Sequence, residues 1–305
     1  MAATPAYQLA LAVPVYNHEP LELLEEAYAQ LQALPFTTGI YLLNDGSPSP
    51  LSALEKWAKS RRGVHYHRST RNRGRAAARN ALANWADAEY CHFLDDQAIV
   101  DQPKFWAQLW EARLEGGVVY GPAAYTPQPA QGSELRWRVG RHRELRCFPP
   151  EDPYGAFKGH HFLAHRRIWP QVSFAETLRG YGHEDTLFGL ALEAKAIPIK
   201  AVNLPVYNRP LDPNPLFLQK TRESLDNLCL IEAQFPHWCH RFKLLQARKR
   251  LLKIPGLRAV MGLLWPAGQK IMEKGLLSPA APLWLYDLYR LFYLMVAARS
   301  TSRKR

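Results

Sequence analysis

The stretch GRAAARNALANWADAEYCHFLDDQ, residues 74–97, joins a helix pattern to a strand pattern and decides the fold class. Alanine and other strong helix formers fill residues 74–88, so this part predicts a helix. The apolar run over residues 89–97 predicts a buried strand that ends in Asp95 and Asp96. A helix that passes directly into a buried strand is typical of α/β proteins.

The same alternation continues on both sides of this stretch. Residues 8–15 and 39–47 predict strands with an amphipathic helix between them, and residues 117–121 predict a further strand. Alternation over the first 121 residues predicts an α/β fold, in which helices flank a Rossmann-like, mostly parallel sheet. Residues 122–153 are rich in Pro, Gly and Arg and predict a loop on the substrate side.

The C-terminal part has a different organisation. Helical patterns return after Asn214, and breaks between helices are predicted at Pro255, Pro266, Pro279 and Pro282. We therefore predict a domain over residues 1–215 and a helical extension over residues 216–305.

The net charge of +12 in this 305-residue chain is concentrated near the C-terminus. Residues 241–305 hold 14 Lys and Arg against two acids, whereas the first 240 residues hold 25 basic and 25 acidic residues. Basic residues among Leu, Trp and Tyr favour an anionic membrane surface over nucleic acid as a partner. Asp287 and Arg290 interrupt the apolar run over residues 283–298, which is too short for a membrane span. Two interpretations of this run stay open: a helix packed on the preceding domain, or an interfacial helix.

Cysteine usage and the N-terminal residues indicate the compartment. The four cysteines are scattered without a CxxC pair, which favours reduced thiols in a cytoplasm. The first apolar run is short, lacks a basic start and ends at Pro14, so we expect no signal peptide. The sequence therefore predicts a cytoplasmic protein.

Polar side chains follow three of the predicted strands. Asn17, Asp45 and the pair Asp95–Asp96 each stand where a strand ends. In open parallel sheets, ligands bind outside the carboxyl ends of the strands. Any one of these residues could be a turn former alone, but three in succession predict a shared crevice.

The stretch GYGHEDTLFG, residues 180–189, places Glu184 and Asp185 at the start of a predicted helix. Free N–H groups and the helix dipole stabilise acids at this position, so capping is one explanation. A positioned carboxylate is also a suitable general base. The stretch alone does not separate the two roles.

Taken in order, VPVYN, LNDGS, NRGRAAARN, LDDQ and GYGHED resemble the motifs of the family 2 glycosyltransferases of the GT-A fold. The segments from FKGHHF through GYGHED to SPAAPLWLYDLYRLFYL resemble a bacterial subgroup of that family, so the resemblance covers most of the chain. It implies inverting transfer of a sugar from a nucleotide diphosphate sugar, UDP-linked by family frequency. The implied acceptor is a glycan or lipid-linked hydroxyl in cell-surface polysaccharide or lipopolysaccharide synthesis. The resemblance also implies a place in the cytoplasm, peripheral at the inner face of the plasma membrane.

The resemblance assigns roles to individual residues. Asp185 falls on the general base and Glu184 on a partner that binds the acceptor hydroxyl or the sugar. Asp45 falls on the acid that contacts the nucleotide base, and Arg79 on a group that pairs with phosphate or with the strand-end acids. The remaining positions implied in nucleotide-sugar binding are Pro14, Tyr16, Asn17, Asn72, Gly74, Asp95, Gly182 and His183, and Asn80 is a further position of the NRGRAAARN motif.

The metal motif departs from the family at two positions. The family's divalent cation, Mn²⁺ or Mg²⁺, would fall on Asp95 and Asp96, but the third motif position, commonly acidic, is Gln97. Asn208 stands where relatives in the subgroup have a histidine, and His160 and His161 are nearby candidates to compensate.

Three states stay open at this point. The metal binds through Asp95 or Asp96 with diphosphate oxygens, or Arg and Lys side chains stabilise the leaving group without metal. In the third state the chain is a degenerate transferase that binds nucleotide sugar or glycan without turnover.

Overall fold

The computed structural model describes residues 4–146, 148–178 and 180–297. Its backbone clusters into two compact units. The first is drawn from Met1–Tyr125, Glu144–Glu176 and Glu184–Pro210, and the second from Thr126–Arg143, Thr177–His183 and Leu211–Arg305.

The strands all belong to the first unit. In chain order they are β1 (Tyr7–Val15), β2 (Thr38–Asn44), β3 (Val64–Arg68), β4 (Ala88–Leu94), β5 (Ala98–Ile99), β6 (Val118–Tyr120), β7 (Ala123–Ala124), β8 (His161–His165), β9 (Ile199–Ala201) and β10 (Val206–Asn208). Seven form one sheet in the order β3-β2-β1-β4-β8-β6-β9, and three form a small sheet in the order β5-β10-β7. Within the large sheet, only β8 runs antiparallel to its neighbours.

The helices described are α1 (Leu21–Gln32), α2 (Ser52–Lys59), α3 (Arg75–Trp85), α4 (Phe105–Glu111), α5 (Glu134–Val139), α6 (Glu184–Ala194), α7 (Asn214–Gln234), α8 (Lys243–Leu251), α9 (Leu257–Leu276) and α10 (Leu283–Ala297). This arrangement confirms the predicted α/β fold with a mostly parallel sheet and C-terminal helices. The boundary at residue 215 stays a prediction, because the second compact unit also takes in two earlier segments.

Both faces of the large sheet are covered by helices. In β1, Leu9, Leu11 and Val13 point to one hydrophobic core, which α1, α2 and α4 complete. Ala10 and Ala12 point to the opposite core, with side chains of α3 and α6. Since both faces of β1 are buried, the strand needs an unbroken apolar run rather than an alternating one.

The second unit contains a helix that the sequence analysis did not expect. Residues 122–153 were expected to be a loop, but they contain α5 and a π-helical turn over Gly140–Leu145. Leu135 and Val139, one helical turn apart, are buried beside Phe217 of α7. The prediction was wrong because arginines between these two residues obscure the apolar spacing of a helix. The helix is stabilised by packing of its apolar side rather than by its own composition.

The prediction of a break at Pro266 was also wrong. Helix α9 runs through this residue, whereas Pro255, Pro279 and Pro282 lie between helices as expected. Pro266 is exposed, and the opposite side of α9 is held by buried Met261 and Leu276. Among the described residues, no helix has both the length and the apolar content to cross a bilayer.

Candidate active site

Three adjacent strand ends meet at one edge of the large sheet. The backbone N–H of Tyr16, after β1, donates to the Asp96 carboxylate at 3.3 Å. The N–H of Asn17 donates to the Ser47 hydroxyl at 2.9 Å, and the N–H of Asp45 donates to the carbonyl oxygen of Val15. The predicted crevice is therefore lined by the turns that follow β1, β2 and β4. Pro14 lies inside β1, in register with Leu43 of β2.

Hydrogen bonds join the turn at Asp45 to the start of α3. Its carboxylate accepts hydrogen bonds from the backbone N–H groups of Arg73, at 3.1 Å, and Gly74, at 2.9 Å. Gly46 adopts φ +70°, and a Cβ there would lie 2.3 Å from the carbonyl carbon of Arg71. This close backbone approach requires glycine.

The residues at the start of α3 face open space. Gly74 has φ +88°, and no described atom lies within 4 Å of the position that a Cβ would take. Asn72, two residues earlier, is exposed. Asn80, further along α3, instead donates to the Phe174 carbonyl at 2.9 Å and to Glu176 at 2.8 Å. Gly74 and Asn72 are therefore accessible to a ligand, whereas Asn80 holds the loop over residues 174–176.

Arg79 connects two acidic segments of the first unit. Its Nη2 donates to Asp95 at 2.8 Å, and its Nη1 lies 3.6 Å from the Glu184 carboxylate. The side chain is buried, and Gly159 leaves it room, because a Cβ there would come within 3.3 Å of the guanidinium. Of the two roles open for Arg79, the structure shows the pairing with a strand-end acid.

Glu184 and Asp185 begin α6 and have different surroundings. Burial, together with the adjacent Asp185 charge, raises the pKa of the Glu184 carboxyl. The Asp185 carboxylate accepts the N–H of Thr186 at 2.7 Å, and its other oxygen lies 3.7 Å from Nζ of Lys158. Asp185 thus satisfies a free N–H of the helix start and also has a cation beside it.

Asp96 is, after Glu184, the second acid near these strand ends whose pKa is raised. Burial, followed by the charge of Asp95, raises the pKa of Asp96 to about 6. The N–H of Tyr16 and the neighbouring His18, 3.9 Å away, oppose this shift. The carboxylates of Asp95 and Asp96 therefore lie close enough for their charges to interact.

The two departures from the metal motif lie side by side. Asn208 in β10 pairs with Ala98 in β5, and the N–H of Arg209 donates to the carbonyl of Gln97 at 3.1 Å. The buried Asn208 Oδ1 and His160 Nε2 have no hydrogen-bond partner among the described residues. Over residues 4–146, 148–178 and 180–297, which the structure describes, no three His, Cys, Asp or Glu side chains cluster closely enough to hold a metal.

His161 cannot compensate for the lost ligands. Nε1 of Trp106 donates to Nδ1 of His92 at 3.1 Å, His92 Nε2 lies 2.8 Å from His161 Nδ1, and His161 Nε2 lies 3.0 Å from the Leu204 carbonyl. Since Trp106 can only donate and the carbonyl can only accept, each histidine carries its proton on Nε2. Both nitrogens of His161 are therefore occupied, which leaves His160 as the only one of the two that could bind a metal.

The first part of the GYGHED segment belongs to the second unit. A Cβ on Gly182 would lie 2.8 Å from Cβ of Ser224, and Gly180 approaches Glu223 in the same way. His183 Nε2 is 3.0 Å from the Ser224 hydroxyl, and Asn227 donates to the Gly182 carbonyl at 3.0 Å. The glycines permit a close approach to α7 here, and the implied role of Gly182 and His183 in nucleotide-sugar binding stays a prediction.

Sequence reasoning missed Lys158 and Gly159, which stand beside Asp185 and Arg79. Both lie in the loop that leads into β8, the antiparallel strand. This loop reaches the sheet at the edge where β4 ends, because the first residue of β8 pairs with the last residue of β4. The stretch FKGHH carries no signal for these contacts, because they depend on how the following strand is placed.

Comparison with known proteins identifies the family to which the chain belongs. The family model described as glycosyl transferase family 2 matches residues 10–168, more than half of the chain. The chain therefore belongs to glycosyl transferase family 2. No curated protein matches it.

The chain is also similar to solved structures, of which the first supports the fold. A mannosyltransferase from Pyrobaculum calidifontis, PcManGT, in complex with GDP-Man and Mn²⁺, is 15% identical, with a TM-score of 0.62 over 98% of this chain and 88% of that chain. S. aureus TarS 1–349 is 14% identical, with a TM-score of 0.49 over 98% of this chain and 92% of that chain. The architecture is the GT-A fold.

Proposed function

We propose that the chain is an inverting glycosyltransferase that moves a sugar from a nucleotide diphosphate sugar to an acceptor hydroxyl. The observation that carries this proposal is the buried Arg79, which joins the strand-end acid Asp95 to Glu184 at the start of α6. Because one guanidinium contacts both groups, the candidate donor-binding acids and the candidate acceptor-binding acids belong to one site. The GYGHED subgroup stays part of the proposal.

Asp185 is proposed as the general base. In a single displacement the acceptor oxygen forms a bond to the anomeric carbon while the bond from that carbon to the phosphate oxygen breaks. The hydroxyl proton passes to Asp185, and the nucleoside diphosphate leaves with the electron pair. Nζ of Lys158 lies 3.7 Å from the Asp185 carboxylate, so a cation stands beside the proposed base. Glu184 is proposed to hold the acceptor hydroxyl or the sugar.

The nucleotide is proposed to bind where the turns after β1 and β2 meet the start of α3. The Asp45 carboxylate holds the backbone of Arg73 and Gly74 by hydrogen bonds. It is therefore proposed to contact the base or ribose from a turn that is already ordered before the nucleotide binds. Exposed Tyr16 and Asn17, with the open space at Gly74, supply the remaining surface. Uridine is proposed as the base.

The residues at the carboxyl end of β4 fit a divalent cation. Asp95 and Asp96 are hard oxygen donors, and the buried Oδ1 of Asn208, which has no partner among the described residues, is a third oxygen. Such a cation would neutralise charge on the leaving diphosphate. Arg79 is already engaged with Asp95, so Asp96 is the carboxylate with more capacity to bind a cation.

A second candidate is a transferase-like protein that binds nucleotide sugar or glycan without turnover. The amides at Gln97 and Asn208 favour it, because neither can supply the charge or imidazole of the family pattern. The acid pair Glu184–Asp185 opposes it.

The acceptor and the location are proposed on the sequence resemblance. We propose a glycan or lipid-linked acceptor in cell-surface polysaccharide or lipopolysaccharide synthesis. The proposed place of action is the cytoplasm, peripheral at the inner face of the plasma membrane. Residues 1–215 are proposed as the catalytic domain and residues 216–305 as its extension.

Donor turnover by Asp185→Asn is the decisive experiment. Release of nucleoside diphosphate from a panel of nucleotide sugars is measured for the wild-type chain and the variant. We expect the rate to fall about 10²–10⁴-fold, because the loss of a general base costs this much. Calorimetry should show unchanged nucleotide affinity, because Asp185 lies at the acceptor side of the proposed site.

Glu193→Gln is the matched control, since it makes the same kind of acid-to-amide change at an exposed position of α6. It should leave turnover unchanged. Nucleotide binding without turnover in the wild-type chain supports the second candidate. Absence of binding for every nucleotide contradicts the transferase and leaves the second candidate only as a glycan-binding protein.

A further inference from the structure

Helix α9 is apolar on two opposite sides. On the inner side, Met261 and Leu276 are buried and Trp265 and Met272 pack in the core of the second unit. On the other side lies a set of exposed aliphatic residues that we call the outer face: Val260 (54% exposed), Leu263 (82%), Leu264 (62%) and Ile271 (73%). A helix that only covers a core has a polar outer side.

The outer face forms one continuous stripe. Val260, Leu264 and Ile271, with Ala267 between the last two, follow helical spacing along one side of α9. No charged residue occurs between Arg258 and Lys270, a distance of three helical turns. Exposed aliphatic residues in such a group mark an interaction surface rather than ordinary solvated residues.

Exposed cations occur before the stripe and near its end in the sequence. Lys249, Arg250 and Lys253 precede α9, and Lys270 and Lys274 lie in its last two turns. None of the five forms an ion pair with another residue that the structure describes.

The acids of this region do not offset these cations. Residues 241–305 contain two acids, Glu273 and Asp287. Glu273 is paired with Arg222 at 2.7 Å, and Asp287 with Arg143 at 2.6 Å. The segment that carries the outer face, residues 241–305, therefore has a net positive charge.

We propose that the outer face of α9 docks on the surface of a bilayer that contains anionic lipids. The helix lies in the plane of the surface, with its aliphatic side chains at the acyl boundary and the flanking cations on lipid phosphates. This inference rests on the peripheral location in the proposed function and deepens it by assigning the surface that contacts lipid, and it does not depend on the proposed sugar transfer.

Charge complementarity selects a bilayer over a second copy of this chain. A symmetric dimer through the outer face would bring the same cations of two chains together, because a two-fold interface pairs a surface with itself. An anionic surface instead attracts every one of these cations. No helix that the structure describes could span the bilayer, so the contact is interfacial.

Vesicle co-sedimentation with the full chain tests the proposal. One set of vesicles is phosphatidylcholine alone, and the other is an equal mixture of phosphatidylcholine and phosphatidylglycerol. The wild-type chain should sediment with the mixed vesicles and much less with the neutral ones. Lys270→Gln combined with Lys274→Gln should lower partitioning at least about tenfold, because each basic residue near the surface contributes to binding.

The aliphatic contribution is tested with Leu263→Asp combined with Leu264→Asp, which should abolish sedimentation. Leu216→Asp is the matched control, since Leu216 is an exposed leucine (39%) of α7 outside the outer face. It should sediment like the wild-type chain. Circular dichroism verifies that each variant is folded.

A direct readout is the fluorescence of Leu263→Trp. Brominated lipids should quench the new tryptophan more strongly than those of the wild-type chain, which places residue 263 at the acyl boundary. Equal sedimentation of Leu263→Asp/Leu264→Asp and wild type overturns the proposal. So does a wild-type dimer that this double variant makes monomeric and that does not bind vesicles. Donor turnover in detergent-free buffer reports the proposed function separately, because it does not require lipid.

Discussion

The Arg79 guanidinium lies 2.8 Å from the Asp95 carboxylate, and both side chains are almost wholly withdrawn from solvent. The same guanidinium is 3.6 Å from Glu184, so one cation serves two acids. A single buried charge thus stabilises the end of β4 and the start of α6 together.

Arg79→Met should destabilise the chain by about 3–5 kcal/mol, because it leaves two buried carboxylates without their cation. Arg79→Lys should cost less, since it keeps the charge but cannot contact both acids with a planar fork. Urea unfolding measures both effects.

Arg73→Met is the matched control for this experiment. Arg73 forms a half-exposed ion pair with Glu176, so its loss should cost less than about 1 kcal/mol. Equal costs for Arg73→Met and Arg79→Met would contradict the proposed role of Arg79.

Acid should destabilise the chain through His92 and His161. Burial lowers the pKa of His92 to about 3 and that of His161 well below its usual value. Above pH 6.5 both are neutral in the folded and the unfolded chain. Below it only the unfolded chain takes up protons, so stability falls by about 2 kcal/mol per histidine at pH 5.

The measurement is urea unfolding at pH 7.5 and pH 5. A variant with His92→Gln and His161→Gln should lose about 4 kcal/mol of this pH dependence, although it starts less stable at pH 7.5. His67→Gln, at an exposed position, should keep the wild-type dependence. An unchanged dependence in the double variant means that other groups cause acid unfolding.

Two glycine substitutions separate backbone strain from steric clash. Gly74→Ala should cost about 1–3 kcal/mol, because φ +88° with ψ 167° is a backbone conformation that essentially only glycine adopts, although the space is open. Gly46→Ala meets the Arg71 backbone at 2.3 Å as well, so it should cost about 1–3 kcal/mol more. It should also weaken nucleotide binding, since the Asp45 turn must move. Urea unfolding and nucleotide calorimetry measure the two effects, and equal stability losses would mean that the turn relaxes without cost.

Restoring the family's ligand types should strengthen metal binding. Gln97→Asp combined with Asn208→His should raise Mn²⁺ affinity at least about tenfold, measured by calorimetry with a nucleoside diphosphate present. Gln108→Asp, which adds the same charge at an exposed position of α4, is the control. If the wild-type chain binds the nucleotide equally in chelator, basic side chains stabilise the leaving group without metal.

Much of the fold could be predicted from sequence because the strands of the first unit are short apolar runs bounded by turn residues. The strand-end residues Asn17, Asp45 and Asp95 could be predicted for the same reason, since carboxyl ends of parallel strands share one edge. Helix α5 could not, because its stability depends on packing with α7 rather than on its own composition. The positions of Lys158 and His160 could not either, because they depend on the direction of β8.

That direction has a consequence for how the protein could diversify. In β8, His161 pairs with Leu94 and His165 pairs with Tyr90, so its first residue is nearest to the strand-end acids. Insertions or deletions just before residue 161 would therefore reshape the crevice. The same changes just after residue 165 would fall at the far edge of the sheet and leave the crevice intact.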